Sequence, residues 1–221
     1  MAAPWLLLQL ADSAFPTGGF SHSAGLEAAL AWGELRDGPA LRRFVEGVLW
    51  QAGHGALPFL GAAHRGADLD DLDRRCDAFL TPQVTNRASR TQGRTLVATA
   101  ARVFPDVEAL AARHEGVRSR TLLAHHAPMF GATLAALEVS LPDTRILFLH
   151  QALRGVCSAA IRLGLVGPHE AQGLQHEVAP TLDAVLERCA ALPLTAVCQP
   201  APLQEILAGT QDRLYSRLFQ S

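Results

Sequence analysis

The sequence predicts an all-α fold, a single-domain helical bundle of about ten helices, and three observations predict it. Ala, Leu, Arg and Glu, all good helix formers, dominate the 221 residues. Apolar residues recur at three- and four-residue spacings, and no stretch alternates with period two. Proline, glycine and Asp/Ser/Thr punctuate the chain where helices start and stop.

Taken in order, residues 4–11 form a short first helix that stops near Asp12, before Pro16 and the Gly18-Gly19 turn. A second helix is expected from near Ser21 to about Trp32, with Gly33 at its C-terminal cap. Asp37-Gly38-Pro39 opens a third, whose apolar face is Leu41, Phe44, Val45, Val48 and Leu49. Pro58 begins a segment to about His64. Asp70 to Leu80 is acidic at its start, as the helix dipole favours. Thr81 as N-cap with Pro82 at the first helical position starts a long helix to about Phe104. Pro105-Asp106 begins a short helix to about His114, and another spans His125 to Leu137. Arg145 to Leu165 is apolar over most of its surface and belongs at the centre of a bundle. Residues 169–191 make a helix bent or broken at Pro180. The last helix is expected over Leu203 to Arg217, and residues 203–221 read as a C-terminal docking tail on one domain covering 1–221.

Composition excludes several function classes. Hydrophobic residues make up 49% and charged residues 18%, so the chain is not disordered. The net charge of -2 and the lack of a basic stripe argue against nucleic acid and membrane surfaces as partners. Every cation is Arg, so neither a P-loop lysine nor a Schiff-base lysine is available. Cys76, Cys157, Cys189 and Cys198 form no CxxC pair. No basic leader and no run of ~18 apolar residues occurs, so the expected compartment is the cytoplasm.

The residues Asp12–Glu27 concentrate the reactive side chains. Asp12, Ser13, Ser21, His22 and Ser23 have the types of a hydrolytic triad, but no strand precedes them and no G-x-S-x-G elbow occurs. Thr17-Gly18-Gly19 before a helix offers N–H groups to an anion, although a tight turn is the simpler reading. His22 is the one histidine beside plausible further metal ligands; a lone histidine at a helix start reads more simply as a hydrogen-bonding surface residue, and no firm metal site emerges. Arg87, Arg90 and Arg94 fall within about 60° of one helical face. They suit either intrachain carboxylates or an anionic partner. Arg154 and Arg162, in the apolar helix, call for structural ion pairs. At the C-terminus Tyr215, Leu218 and Phe219 suit a docking element or a return onto the bundle.

Five blocks then point to one family. LADSAFPTGGFSHSAGLE resembles the N-terminal signature of the urease accessory protein UreF family. The likeness continues through NRASRTQGRTLV (Asn86–Val97), HHAPMFGA (His125–Ala132), SAAIRLGLVGPHEAQGLQHEVAP (Ser158–Pro180) and LYSRLFQS (Leu214–Ser221). The resemblance implies an all-helical cytosolic homodimer that is not itself an enzyme. It implies a UreD/UreH-type scaffold and a nickel-carrying UreG-type GTPase as partners, acting together on apo-urease to place two Ni²⁺ ions. No tightly bound cofactor is implied: nickel is handled by the complex and GTP is bound by the GTPase. It implies a GTPase-facing surface of Asp12, Ser13, Phe15, Pro16, Thr17, Gly18, Gly19, Phe20, Ser21, His22 and Glu27 with Arg87, Arg90 and Arg94. It implies a scaffold-facing tail carrying Tyr215, Arg217, Leu218 and Phe219. Two departures stand out: Ala24 where a second glycine is expected, and Gln220 where arginine is common.

Overall fold

The computed structural model describes residues 4–221, and among them all regular structure is helical. Twelve α-helices follow in order: α1 Pro4–Ala11, α2 Leu26–Ala31, α3 Gly38–Gly55, α4 Leu57–His64, α5 Leu69–Phe79, α6 Gln83–Val103, α7 Glu108–Arg118, α8 His126–Ala136, α9 Leu141–Arg162, α10 Pro168–Glu177, α11 Ala179–Cys189 and α12 Pro202–Gly209. No helix among the described residues is long and apolar enough to cross a membrane.

Side-chain caps set several of these boundaries, the expected one at Asp37 among them. The Asp37 side chain accepts the Ala40 N–H at 2.7 Å and starts α3. Asp68 does the same for α5 through the N–H groups of Asp70 and Asp71. The α6 start differs by one residue, with Pro82 as the cap. The expected bend at Pro180 is a full break between α10 and α11 at Val178.

Four elements depart from expectation. α7 runs from Glu108 to Arg118, later at both ends than the helix expected from Pro105-Asp106 to about His114, with Val107 at its N-cap. The second helix begins at Leu26, because Ala24 (φ 55) and Gly25 (φ 84) both lie in the left-handed region, which no α-helix admits. Ala24 holds this strained backbone at the position where the family resemblance calls for glycine. α9 starts four residues early, since Ser140 caps it through the Asp143 N–H at 3.2 Å and Pro142 suits its first turn. The last helix ends at Gly209 instead of Arg217; a 3₁₀ turn at Gln211–Arg213 follows, then extended chain.

α9 lies at the centre and packs against α1, α2, α3, α4, α8, α10 and α11. One continuous apolar core surrounds it, from Leu10 and Phe15 through Leu60, Phe130 and Leu153 to Phe219. The tightest helix contacts are made at glycines. A Cβ on Gly131 of α8 would land on the Leu60 carbonyl of α4, and one on Gly93 of α6 would land on the Ala124 carbonyl before α8. These approaches set the positions of α4, α6 and α8, which form one side of the site described next.

Candidate functional site

The Asp12–Glu27 segment does not stand free: the C-terminal residues lie along it. Gln220 N–H donates to the Ser21 carbonyl at 2.8 Å, and Ser23 N–H donates to the Ser221 carbonyl at 2.5 Å. Ser23 Oγ donates to the same carbonyl at 2.9 Å. His22 Nδ1 is 2.6 Å from Ser221 Oγ. The Glu27 carboxylate, buried in the first turn of α2, accepts the Leu218 N–H at 2.6 Å, the Phe219 N–H at 3.0 Å and the Gln211 side-chain amide at 2.5 Å. Hydrogen bonds to an ionised acceptor are the strong kind, and three converge here.

Charge and aromatic contacts complete the junction. Asp212 takes a bidentate fork from Arg87 at 2.9 and 3.1 Å and a further bond from Arg217 at 2.7 Å. The Arg162 guanidinium lies between two rings, 3.9 Å from the Phe20 centroid and 4.2 Å from that of Phe219, and donates to the Phe20 carbonyl. Arg154 donates to the Ala11 carbonyl. So Arg154 and Arg162 of α9 are satisfied by carbonyls and rings, not by the ion pairs the sequence suggested.

The candidate residues therefore divide. Asp12, Ser13, Pro16 and Phe20 are exposed, and Thr17, Gly18, Gly19 and Ser21 are half-buried. Phe15 and Phe219 belong to the core, and His22 and Glu27 are buried. These four do not present themselves to solvent as anchors or hydrogen-bonding surface groups. Tyr215 is fully exposed, and Leu218 half so. Of the arginine stripe, Arg87 is paired with the tail. Arg94 Nε donates to the Arg90 carbonyl, and Arg90 Nε is buried without a partner.

The structure also settles the Gly-Gly turn. Gly18 sits at φ 76, with Thr95 of α6 3.2 Å from where a Cβ would stand. Only a three-residue 3₁₀ turn follows, too short to give an anion the N-terminus of a helix. Ser21 Oγ donates to the Gly18 carbonyl, and neither Ser21 nor Ser23 bonds the His22 ring, so no triad forms here. A Ser-His-Asp series does occur elsewhere, where the sequence gave no local signal. His125 Nε2 is 3.0 Å from Asp77 Oδ1, and its Nδ1 is 3.2 Å from Ser89 Oγ, which accepts the His126 N–H at 3.1 Å. Asp73 accepts the N–H groups of Ala124 and His125, each at 2.7 Å. With the serine held by backbone and the imidazole wholly buried, the network is a strut joining α5, α6 and α8.

Behind the junction lies a cavity of about 680 Å³, mostly apolar, whose lining includes Phe15, His22, Ser89, His126, Phe148 and Phe219. His22 Nε2 and His126 Nε2 are buried there without hydrogen-bond partners. Burial lowers both pKa values to about 4, with Arg87 adding to the effect at His22 and His22 at His126. Neutral imidazole nitrogens are metal donors. However, no cluster of three or more His, Cys, Asp or Glu able to hold an ion exists among the described residues. The cysteines are all free, and burial pushes the thiols of Cys76, Cys157 and Cys189 above the ordinary range, which makes them inert.

The imidazoles give stability a pH dependence. Burial also holds His125 below the ordinary histidine range, against the opposing pull of Asp77. For each of the three rings the unfolded chain binds a proton that the folded chain refuses. Stability is therefore full above about pH 6.5 and falls as pH drops toward about 4. The urea midpoint should fall between pH 7.5 and pH 5, and His126→Phe, which suits the Phe130–Phe148 cluster around that ring, should flatten the slope.

Comparison with known proteins follows the same lines. A family model described as UreF matches residues 35–179. The chain is 37% identical over 221 residues to urease accessory protein F of Arabidopsis thaliana, covering 98% of this chain and 92% of that one. It is 36% identical over 219 residues to urease accessory protein F of Oryza sativa subsp. indica, covering 97% and 84%. It is 29% identical over 220 residues to urease accessory protein UreF of Trichodesmium erythraeum, covering 96% and 94%.

Proposed function

The chain belongs to the UreF family of urease accessory proteins, and from that premise we propose that it is a non-catalytic assembly factor in urease maturation. It bridges a UreD/UreH-type scaffold and a UreG-type GTPase and regulates GTP-dependent nickel insertion into apo-urease. It works in the cytoplasm as a homodimer. Nickel is cargo handled transiently by the complex, GTP belongs to the partner GTPase, and the chain holds no cofactor tightly.

The observation that carries this reading is the junction of signature and tail. Glu27, His22 and Ser23 hold residues 218–221, while Phe20, Tyr215 and Leu218 stay exposed beside them. Exposed aromatic and aliphatic groups on a rigid polar frame suit protein recognition. Ser21, Ser23 and His22 Nδ1, which a hydrolytic site would need, are engaged in structural hydrogen bonds. The neutral nitrogens of His22 and His126 are the donors best placed for passing contact with a nickel ion.

Reconstitution tests the proposal. Apo-urease, the scaffold, the GTPase, Ni²⁺, bicarbonate and GTP should yield active urease only when this chain is added. The chain alone should hydrolyse neither ester nor amide substrates. Equal activation without it, or an esterase activity abolished by His22→Ala, overturns the assignment.

A further inference from the structure

Away from this site, two arginines meet with no carboxylate between them. Arg65 follows the last turn of α4, and Arg145 lies in the second turn of α9. Both reach over Gly61: the point where a Cβ would stand is 3.2 Å from Arg65 Nη1 and 3.5 Å from Arg145 Nη2. Neither guanidinium takes part in any of the ion pairs among the described residues. Arg145 Nε is shielded from solvent and has no partner. Asp143, the acid nearest to Arg145 in sequence, is engaged with the Ser140 cap at 2.6 Å.

Such an arrangement carries a cost. Burial, and then the neighbouring charge of Arg65, hold Arg145 below the ordinary arginine range. Two guanidiniums crowded on one glycine repel each other, while long side chains on a surface are free to spread into water. A single oxyanion between them removes the repulsion and offers acceptors to the nitrogens, since guanidinium forks match carboxylate and phosphate oxygens. Gly61, having no side chain, lets both guanidinium ends lie against the same point of α4.

We infer that Arg65 and Arg145 form a cradle for one oxyanion, a carboxylate or a phosphate group, held between the two guanidiniums that lie against Gly61. The site is independent of the signature and the tail. The test is a titration of the full chain, labelled with ¹⁵N-arginine, at constant ionic strength set with chloride. Inorganic phosphate is one arm and acetate the other, and the arginine Nε–Hε resonances are read by NMR. Saturable shifts of the Arg145 and Arg65 signals, with a dissociation constant below about 10 mM, are expected. Binding at least tenfold tighter for phosphate assigns a phosphate group, and comparable binding of acetate assigns a carboxylate. Arg145→Gln should abolish the saturable shift of the Arg65 signal. Gly61→Ala, which keeps both charges but sets a Cβ against both guanidiniums and so shifts their spacing, should weaken binding at least fivefold. Arg118→Gln, on an exposed residue paired with Glu115, should leave it unchanged. Shifts that never saturate in the wild-type chain, or that persist in folded Arg145→Gln, overturn the inference.

Discussion

Replacing Gly131 with alanine should lower the melting temperature by about 6–12 °C. The added Cβ would overlap the Leu60 carbonyl, and the obstacle is backbone, which no rotamer change relieves. Helices α4 and α8 must move apart, and both are buried along nearly their whole length. Overpacking a core costs ~1–3 kcal/mol where side chains can adjust, and more where they cannot. A loss of ~3 kcal/mol in a chain of this size corresponds to the stated shift. Gly155→Ala is the control. That glycine lies within α9, and nothing stands within 4 Å of its Cβ position, so alanine should stabilise by about 0.5–1 kcal/mol through helix propensity. Thermal unfolding of the two variants side by side separates steric overlap from loss of glycine itself.

Removing the Glu27 carboxylate should release the tail. Glu27→Ala deletes the shared acceptor of the Leu218 and Phe219 N–H groups and the Gln211 amide. Leaving buried donors unsatisfied costs about 1–3 kcal/mol each, reduced where water enters. The net destabilisation should be ~2–4 kcal/mol, concentrated at the junction. The Arg217–Leu218 bond gives a direct readout, because its amide nitrogen is the one Glu27 holds. Trypsin should cut there at least about tenfold faster in Glu27→Ala, while cutting at Arg118, in α7 away from the junction, stays unchanged. Arg162, on the Phe219 ring, and Arg87, on Asp212, also hold the tail, so cleavage should not reach the rate of an unstructured peptide. An unaltered rate at Arg217 would mean that the aromatic and ionic contacts alone fix the tail.

The sequence made the bundle legible because helix boundaries are local. Asp37 before Gly38-Pro39 and Thr81 before Pro82 each determine a start within a residue or so. The second helix was misplaced for an equally local reason that residue type hides: Ala24 adopts a left-handed backbone that favours glycine. At α9 the start rests on the Ser140 side chain accepting the Asp143 N–H, which lies ahead of the apolar run at Ile146 that signals the helix in the sequence. The junction was not legible. His22 and Ser221 are 199 residues apart in sequence, and nothing in either segment marks the other as its partner. The same holds for Asp77, Ser89 and His125, each unremarkable alone and joined only by the packing of α5, α6 and α8. Residue types thus identified the polar cluster, while tertiary contacts decided that His22 and Glu27 face inward and Tyr215 outward.

The most direct test of the account is co-purification. This chain would be co-expressed with the UreD/UreH-type and UreG-type proteins of the same organism, as wild type, as a truncation lacking residues 212–221, and as Tyr215→Ala. Tyr215 is fully exposed, so its variant keeps the fold even if truncation does not. The account predicts a complex of all three proteins with the wild type, loss of the scaffold protein on truncation, and weakened capture by Tyr215→Ala. Full-length chain that captures neither partner would contradict it.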